Sequence, residues 1–201
     1  MKLYYSAGAC SLSPHIALEE AGLNYEAISA PTKTKVLPDG GDYRKVNPLG
    51  YVPYLVLEDG TGFSEGPAIV QYIADQAPEK KLAPPNGTVE RYKLQSLLNF
   101  IGTEIHKGFG PLFNPAMPDE AKQVFKAKVL ERLQHVDGLL EGKSYLMGDN
   151  FTVADGYLFT VTNWAKPMGI DLSGLKNLVA FRDRVAARPA VQAAMKAEGL
   201  I

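Results

Sequence analysis

Short apolar runs and helical stripes alternate through residues 1–77. Alternating or β-branched runs of a few residues predict strands, whereas apolar residues three and four positions apart predict helices. On these grounds we predict strands at 2–5, 25–28, 52–57 and 62–63, and helices at 11–22 and 68–77. The order strand, helix, strand, hairpin and helix indicates a small α/β layer fold.

The pattern is helical from residue 88 onward. Apolar side chains recur at helical spacing in segments that we predict as helices at 88–108, 119–141, from 152 and at 178–188. The stretch 78–87 between the two patterns is rich in proline and ends in Asn86-Gly87, which indicates a linker. We therefore expect an α/β domain over 1–77 and an all-helical bundle over 88–201.

Composition and charge narrow the classes of function. The chain has 201 residues, of which 46% are hydrophobic and 21% charged, and its net charge is −1. A nearly neutral chain gives no indication of nucleic acid or an anionic membrane as a partner. No apolar run approaches the roughly 18 residues that a membrane helix needs. A single cysteine excludes an internal disulfide and fits a reducing compartment, so we expect a cytoplasmic protein.

Cys10 lies where the first predicted strand turns into the first predicted helix. Unpaired N–H groups and the positive end of the helix dipole at that place favour a thiolate over a thiol. The alternative is that a lone cysteine is a small buried hydrophobic residue. The position favours the first interpretation, and we expect a reactive thiolate at Cys10.

The spacing of Cys10 and Ser13 is that of a Cys-x-x-Cys redox motif with serine in the second place. A lone thiol that forms a mixed disulfide needs a second thiol from solution to release it. Glutathione is the most abundant such thiol in a reducing cytoplasm. The sequence therefore points to a site that holds glutathione.

Two further segments fit a site for this peptide. A cis peptide bond at Val52-Pro53 would expose the Val52 backbone to an extended peptide, although an ordinary proline at the start of a strand is the alternative. Glu65 and Gly66 precede a predicted helix whose N-terminus could hold a carboxylate while Glu65 holds an ammonium group. A plainly solvated Glu65 is the alternative there.

One polar row stands out on the first helix of the bundle. Asn99, Thr103 and His106 are spaced four and three residues apart, so an α-helix places them on one face. His106 is our candidate catalytic histidine, whereas we interpret His15 and His135 as surface residues. The segment Thr152-Val153-Ala154-Asp155 matches a capping box, which explains Asp155 more simply than a catalytic role does.

Five segments, in order and at consistent spacing, resemble the cytosolic glutathione transferases, most closely their bacterial beta class. They are Gly8-Ala9-Cys10-Ser11-Leu12, Asn47-Pro48-x-Gly50-x-Val52-Pro53, Glu65-Gly66-x-Ala68-Ile69, Glu104-x-His106-Lys107-Gly108 and Phe151-Thr152-x-Ala154-Asp155. The similarity covers essentially the whole chain. It implies a thioredoxin-like N-terminal domain, an all-helical C-terminal domain and a homodimer.

The resemblance also implies roles for individual residues. Cys10 would contact the glutathione sulfur and could form a mixed disulfide with it, and His106 would be the second catalytic residue. The peptide would be held by Cys10, Lys35, Val52, Glu65, Gly66, Asn99, Thr103, Glu104, His106 and Lys107, with Asn99, Thr103 and Glu104 reaching it across the dimer interface. Tyr5 and Ser11 are rival catalytic hydroxyls, and Gly66 stands where many relatives carry serine.

Three functions compete at this point. The first is a glutathione S-transferase that joins the glutathione thiolate to a small hydrophobic electrophile. The second is a glutathione-dependent thiol–disulfide transferase or reductive dehalogenase. The third is a non-enzymatic carrier of hydrophobic compounds, bound in a cleft that Phe109, Phe113, Tyr157 and Trp164 could line. Glutathione is the expected co-substrate, and no metal is expected.

Overall fold

All four strands lie in the first third of the chain. The computed structural model describes residues 1–201. The strands are β1 (Lys2–Tyr5), β2 (Glu26–Ser29), β3 (Tyr54–Val56) and β4 (Gly62–Phe63), in the sheet order β2-β1-β3-β4. β1 runs parallel to β2 and antiparallel to β3, and β3 runs antiparallel to β4. The parallel pair requires a crossover, which helix α1 (Leu12–Ala21) provides.

The remaining elements are helical. They are α2 (Gly66–Gln76), α3 (Val89–Phe100), a π-helical segment (Ile101–His106), α4 (Lys107–Phe109), α5 (Asp119–Leu139), α6 (Val153–Thr162), α7 (Lys176–Ala186) and α8 (Pro189–Ala197), with short 3₁₀ turns at 43–45, 78–80 and 110–113. The predicted α/β layer followed by an all-helical part is confirmed. The domain boundary at 78–87 stays a prediction. Between the 3₁₀ turn at 78–80 and Val89 the chain forms no regular element.

Two helical details differ from the sequence prediction. The predicted continuous α-helix over 88–108 is wrong in pitch, because Ile101–His106 winds as a π-helix. The apolar pattern could not show this, since Ile101 and Ile105 are buried, as an α-helical stripe would also have them. The sequence analysis did not predict helix α8. Pro189 is its first residue, where the N–H that proline lacks would have no partner within the helix.

One core joins the two halves. Helix α1 packs against α2 of its own half and against α6 and α8 of the helical half. Every residue of α6 is buried, and a helix that is covered on all sides lies in the core of a protein. The structure contains no helix that is both long and apolar enough to span a membrane.

Ion pairs add polar contacts to this junction. The Arg91 guanidinium on α3 donates to both Asp75 oxygens on α2, at 2.8 and 2.7 Å, and the Arg91 side chain is almost fully buried. The Arg188 guanidinium donates to Glu20 on α1 at 2.8 Å. Paired guanidinium groups of this kind fix the relative position of the elements they join, because a bidentate pair has one preferred geometry.

His15 is buried, and its interpretation as a surface residue is wrong. Its Nδ1 lies 2.9 Å from Glu198 Oε1, and both side chains are inaccessible to solvent. Glu198 Oε2 accepts a hydrogen bond from the Gly8 N–H at 2.9 Å. The residue that satisfies His15 lies at the end of α8, far along the chain, so local spacing could not reveal the burial.

The predicted capping box at the start of α6 is present. Thr152 N and Oγ1 both donate to Asp155 Oδ2, at 2.7 and 2.9 Å, and Leu146 N donates to Oδ1 at 2.8 Å. Asp155 is fully buried. One carboxylate therefore satisfies the helix start and the loop that precedes it.

We expect Asp155→Ala to lower the free energy of unfolding by about 2–5 kcal/mol, because it leaves two buried backbone N–H groups without an acceptor. Urea denaturation monitored by circular dichroism measures the change. Asp149→Ala is the matched control, since Asp149 is exposed in the same loop, and we expect a change within about 0.5 kcal/mol. Equal stability of the two variants would contradict the role of the cap.

Candidate active site

A cavity of about 420 Å³ lies between the α/β half and the helical half. Its walls come from the loop before α1, the loop before β3, the start of α2, the π-helical segment and α6. Of the predicted site residues, the cavity is lined by Cys10, Val52, Glu65, Gly66, Asn99, Thr103, His106 and Lys107. The fold therefore brings together residues that are distant in the sequence.

The loop that carries Cys10 is held from both halves. Gly8 has a positive φ of 70°, which suits glycine. Its carbonyl accepts a hydrogen bond from Trp164 Nε1 at 2.9 Å, and its N–H donates to Glu198. Ser11 Oγ accepts from Ser6 N at 3.0 Å and donates to Ser6 O at 3.2 Å. The position of the thiol thus depends on residues near the C-terminus.

The prediction of a thiolate at Cys10 is wrong for the protein without glutathione. Burial raises the pKa of the Cys10 thiol to about 11. The N–H groups of Cys10 and Ser11 and the charge of Lys107 lower this pKa, but their effect is smaller than that of desolvation. Cys10 Sγ instead donates a hydrogen bond to Val52 O at 3.3 Å. The position of Cys10 in the sequence predicted the nearby N–H groups but could not predict the burial of its thiol.

The backbone at Val52 has the form that a peptide site needs. The Val52-Pro53 bond is cis. The Val52 N–H makes no hydrogen bond within the chain, and the Val52 carbonyl accepts only the weak S–H bond of Cys10. One donor and one weakly used acceptor therefore face the cavity, as at the edge of a sheet that accepts an added strand.

Glu65 and Gly66 form the start of α2 at another wall. Glu65 has a φ of 71°, a backbone conformation that residues other than glycine rarely adopt. Residues strained in this way cluster at ligand sites. The Glu65 carbonyl accepts from the N–H groups of Ala68 and Ile69, both at 3.0 Å. Gly66 N is left free, and α2 directs its N-terminus at the cavity. A carboxylate placed there would meet a donor and the positive end of the helix.

The predicted polar row lines the cavity despite the change of pitch. Thr103 Oγ1 donates to Asn99 O at 3.0 Å, which ties the start of the π-helical segment to α3. Asn99, Gly102, Thr103, His106 and Lys107 all face the cavity. The wider π turn presents both His106 and the next residue, Lys107, to the same space.

His106 is held between two aromatic side chains. Its Nδ1 lies 2.6 Å from Tyr157 Oη, and its ring centroid lies 5.0 Å from that of Trp164. Burial and the neighbouring charge of Lys107 lower the pKa of His106 to about 4. The imidazole is therefore neutral at pH 7. Burial also raises the pKa of Tyr157, so its hydroxyl keeps its proton.

Two predicted binding residues do not line the cavity. Lys35 has its ammonium bonded to Gly50 O and lies 5.8 Å from the centroid of the Tyr51 ring. Glu104 accepts a hydrogen bond from Arg132 Nε at 2.8 Å on the far side of the π turn. The rival hydroxyls of Tyr5 and Ser11 do not line it either.

Sequence reasoning named Tyr157 only as a residue that could line a hydrophobic cleft, and it missed the hydrogen bond between Tyr157 and His106. Other lining residues were missed altogether. Asn47 and Tyr51 also line the cavity; Asn47 Nδ2 donates to Tyr51 O at 2.8 Å and so shapes the loop before β3. Asn47 belongs to the segment that resembles the family around Val52-Pro53, but neither its charge nor its spacing indicated that it lines the site.

Comparisons with known proteins agree with this site. The family model "Glutathione S-transferase, N-terminal domain" matches residues 7–76, and "Glutathione S-transferase, C-terminal domain" matches residues 100–189. The chain is 47% identical to glutathione S-transferase GstA of Escherichia coli O157:H7 over 200 residues, covering 100% of both proteins.

Solved structures are similarly close. A sphingomonad glutathione S-transferase complexed with glutathione is 46% identical, with a TM-score of 0.96 and full coverage of both chains. The bacterial beta-class glutathione S-transferase of Sphingomonas chungbukensis is 48% identical, also with a TM-score of 0.96 and full coverage. No group of three or more His, Cys, Asp or Glu side chains is arranged to hold a metal ion. The chain belongs to the glutathione S-transferase family, takes glutathione as co-substrate, and has bacterial beta-class enzymes as its structural neighbours.

Proposed function

We propose that glutathione binds in the 420 Å³ cavity with its sulfur between Cys10 and His106, and that its thiolate attacks a small hydrophobic electrophile. The observation that carries this proposal is that one cavity joins a thiol, a neutral imidazole, a lysine and a free strand-edge backbone. Each of these groups can contact the thiol, the backbone or a charged end of glutathione, and the resemblance to beta-class enzymes supports the proposal.

Each part of the peptide has a partner in the cavity. The cysteinyl backbone pairs with Val52 N and O as an added strand would. The γ-glutamyl carboxylate lies at the start of α2 near Gly66, and the γ-glutamyl ammonium lies near the Glu65 carboxylate. Lys107 and the row of Asn99 and Thr103 face the remainder of the peptide.

The groups around the sulfur are two neutral donors and the positive charge of Lys107, whose effect on Cys10 is larger than the opposing effect of the Glu65 carboxylate. Cys10 is a thiol at neutral pH, and its S–H can turn from Val52 O to a bound thiolate. His106 is neutral at pH 7, because its pKa is about 4. The Lys107 ammonium attracts the anion. These groups stabilise the glutathione thiolate relative to the thiol, which raises the concentration of the nucleophile.

A second candidate function is thiol–disulfide transfer, and the exposure of Cys10 to the cavity favours it. The Cys10 thiolate would attack the glutathione sulfur of a mixed disulfide between glutathione and a substrate thiol, form a disulfide between Cys10 and glutathione, and release the substrate thiolate. A glutathione thiolate would then attack that disulfide, regenerate Cys10 and release oxidised glutathione. The raised pKa of Cys10 slows the first step, because only the thiolate attacks.

We also propose that the enzyme is a homodimer and works in the cytoplasm, where reduced glutathione is abundant. Two exposed hydrophobic side chains beside the cavity, Leu49 and Tyr51, support a second subunit. Phe113, half exposed, and Trp164 pack edge to face at 5.5 Å and support an apolar place for the electrophile next to His106.

We expect Cys10→Ala and Cys10→Ser to abolish exchange with oxidised glutathione, because no other thiol is present. For conjugation of an aryl halide, serine keeps a hydrogen-bond donor, so Cys10→Ser should retain a rate within about tenfold of the native enzyme, whereas Cys10→Ala should lose more. Glutathione affinity should stay within about tenfold in both.

Initial rates with an aryl halide and calorimetric titration with glutathione check these expectations. A native rate no higher than the uncatalysed one would favour the carrier function over the enzyme. Loss of the folded state in both variants would show that Cys10 is only a packing residue.

We expect Gly66→Ser to bind glutathione about fivefold more tightly, because a hydroxyl at the start of α2 can add one hydrogen bond, worth about 1 kcal/mol, to the γ-glutamyl carboxylate. A Cβ at Gly66 fits, since its nearest neighbour would be Pro53 Cγ at 3.8 Å. Gly66→Ala is the matched control and should leave the dissociation constant within about twofold. Serine binding no tighter than alanine would place the carboxylate elsewhere.

The rate of alkylation of Cys10 by iodoacetamide should increase with pH, and the midpoint of this increase should lie near the pKa of about 11. The rate follows the thiolate fraction, and a raised pKa moves that fraction to higher pH. Mass spectrometry of the native enzyme measures the rate, and the urea-unfolded chain provides a reference thiol near its ordinary pKa. A midpoint below that of the unfolded chain would restore the thiolate hypothesis.

A further inference from the structure

Tyr157 is a buried tyrosine whose hydroxyl has one partner in the protein. That partner is His106 Nδ1, at 2.6 Å. Both residues line the cavity, and Tyr157 is only 3% exposed. The function of this pair rests on the proposed function, in which His106 lies next to the glutathione sulfur.

The chemistry of the two groups fixes the direction of this hydrogen bond. A phenol is a stronger donor than an imidazole N–H, and an imidazole nitrogen with a free lone pair is a stronger acceptor than a phenol oxygen. The Tyr157 hydroxyl therefore donates to Nδ1. Because a neutral imidazole carries one proton, that proton is on Nε2.

The other ring nitrogen is open to the cavity. His106 Nε2 has no hydrogen-bond partner in the protein, and it is not sealed from solvent, unlike the Nε2 of His15. The edge-to-face contact with Trp164, at 5.0 Å, limits rotation of the ring from the other side. The ring thus presents one N–H donor to the cavity, and its lone pair is already used.

We propose that Tyr157 is a positioning residue that holds His106 as the Nε2–H tautomer, so that His106 donates a hydrogen bond to the glutathione sulfur and does not act as the base that removes its proton. The thiol proton leaves to solvent, and the electron pair stays on sulfur. A base needs a free lone pair, and the hydroxyl of Tyr157 occupies the one that His106 has.

The charges around the pair agree with a neutral ring. Lys107 follows His106 in the same turn and disfavours a second positive charge. Burial, and to a smaller extent the charge of Glu65 on the α/β half, raises the pKa of Tyr157 and so disfavours a tyrosinate. The groups that face the pair therefore keep the tyrosine protonated and the histidine neutral over the working range of pH.

Tyr157→Phe tests the proposal directly, because it removes only the hydroxyl. Two-dimensional ¹H–¹⁵N spectra of the histidine rings report the tautomer, and His106→Gln assigns the signals of His106 among the three histidines. We expect the Nε2–H tautomer in the native enzyme, and in Tyr157→Phe a mixture of tautomers with a raised pKa of His106. The turnover number should fall roughly tenfold, as for other residues that orient a histidine through its second nitrogen, with the KM for glutathione nearly unchanged.

Tyr145→Phe is the matched control. Tyr145 is also buried, and its hydroxyl accepts a hydrogen bond from Arg188 at 3.2 Å, away from the cavity. It should leave the tautomer of His106 and the turnover number unchanged. An Nδ1–H tautomer in the native enzyme, or an unchanged tautomer and rate in Tyr157→Phe, would overturn the proposal.

A pair of His106 variants separates this inference from the proposed function. The glutamine amide nitrogen can reach the place of Nε2, whereas the asparagine amide nitrogen reaches only the place of Nδ1. If the sulfur needs a donor at Nε2, His106→Gln should keep a higher turnover number than His106→Asn. Native turnover in both variants would remove His106 from the proposed function. Equal loss in both, with native turnover in Tyr157→Phe, would leave the proposed function standing and refute only the role of Tyr157.

Discussion

The buried carboxylate of Asp155 is the interaction on which the site depends most. It accepts three hydrogen bonds and so fixes where α6 begins. Tyr157 lies two residues further along the same helix and meets His106. Because a fully buried helix cannot shift without disturbing packing on every side, the start of α6 determines the position of the imidazole.

A second constraint comes from the burial of the Cys10 and His106 side chains in the cavity wall. Desolvation raises the pKa of Cys10 and lowers the pKa of His106, so both groups are uncharged at neutral pH. The anion in the reaction is then the glutathione sulfur itself. The Cys10 thiol and the His106 imidazole are already in the neutral form that donates a hydrogen bond to that sulfur. Lys107 supplies the positive charge nearby.

Contacts between distant parts of the chain hold the thiol in place. Gly8 is bonded on one side by Glu198, which also binds His15, and on the other by Trp164. The helical half therefore both forms one wall of the cavity and sets the position of the loop that carries Cys10. The two halves also share one continuous hydrophobic core.

Local signals were sufficient for much of the fold and part of the site. The period-2 and helical patterns predicted the strands, α1, α2 and α5, and the Thr152–Asp155 spacing predicted the cap. Residue chemistry and spacing, together with the family resemblance, predicted Cys10, Val52, Glu65 and His106 as site residues, and all four line one cavity. Lys35 and Glu104 were assigned by the same resemblance, yet their charged ends pair with Gly50 and Arg132 outside it.

The sequence by itself determined which residue types were available and where the chain turns, because those depend on neighbours a few positions apart. Only the tertiary structure decided the burial of His15, the π pitch of 101–106, the protonation of Cys10 and the partner of His106. Each of these depends on how much water remains around a group and on which distant side chain replaces it. Neither quantity is encoded in local spacing.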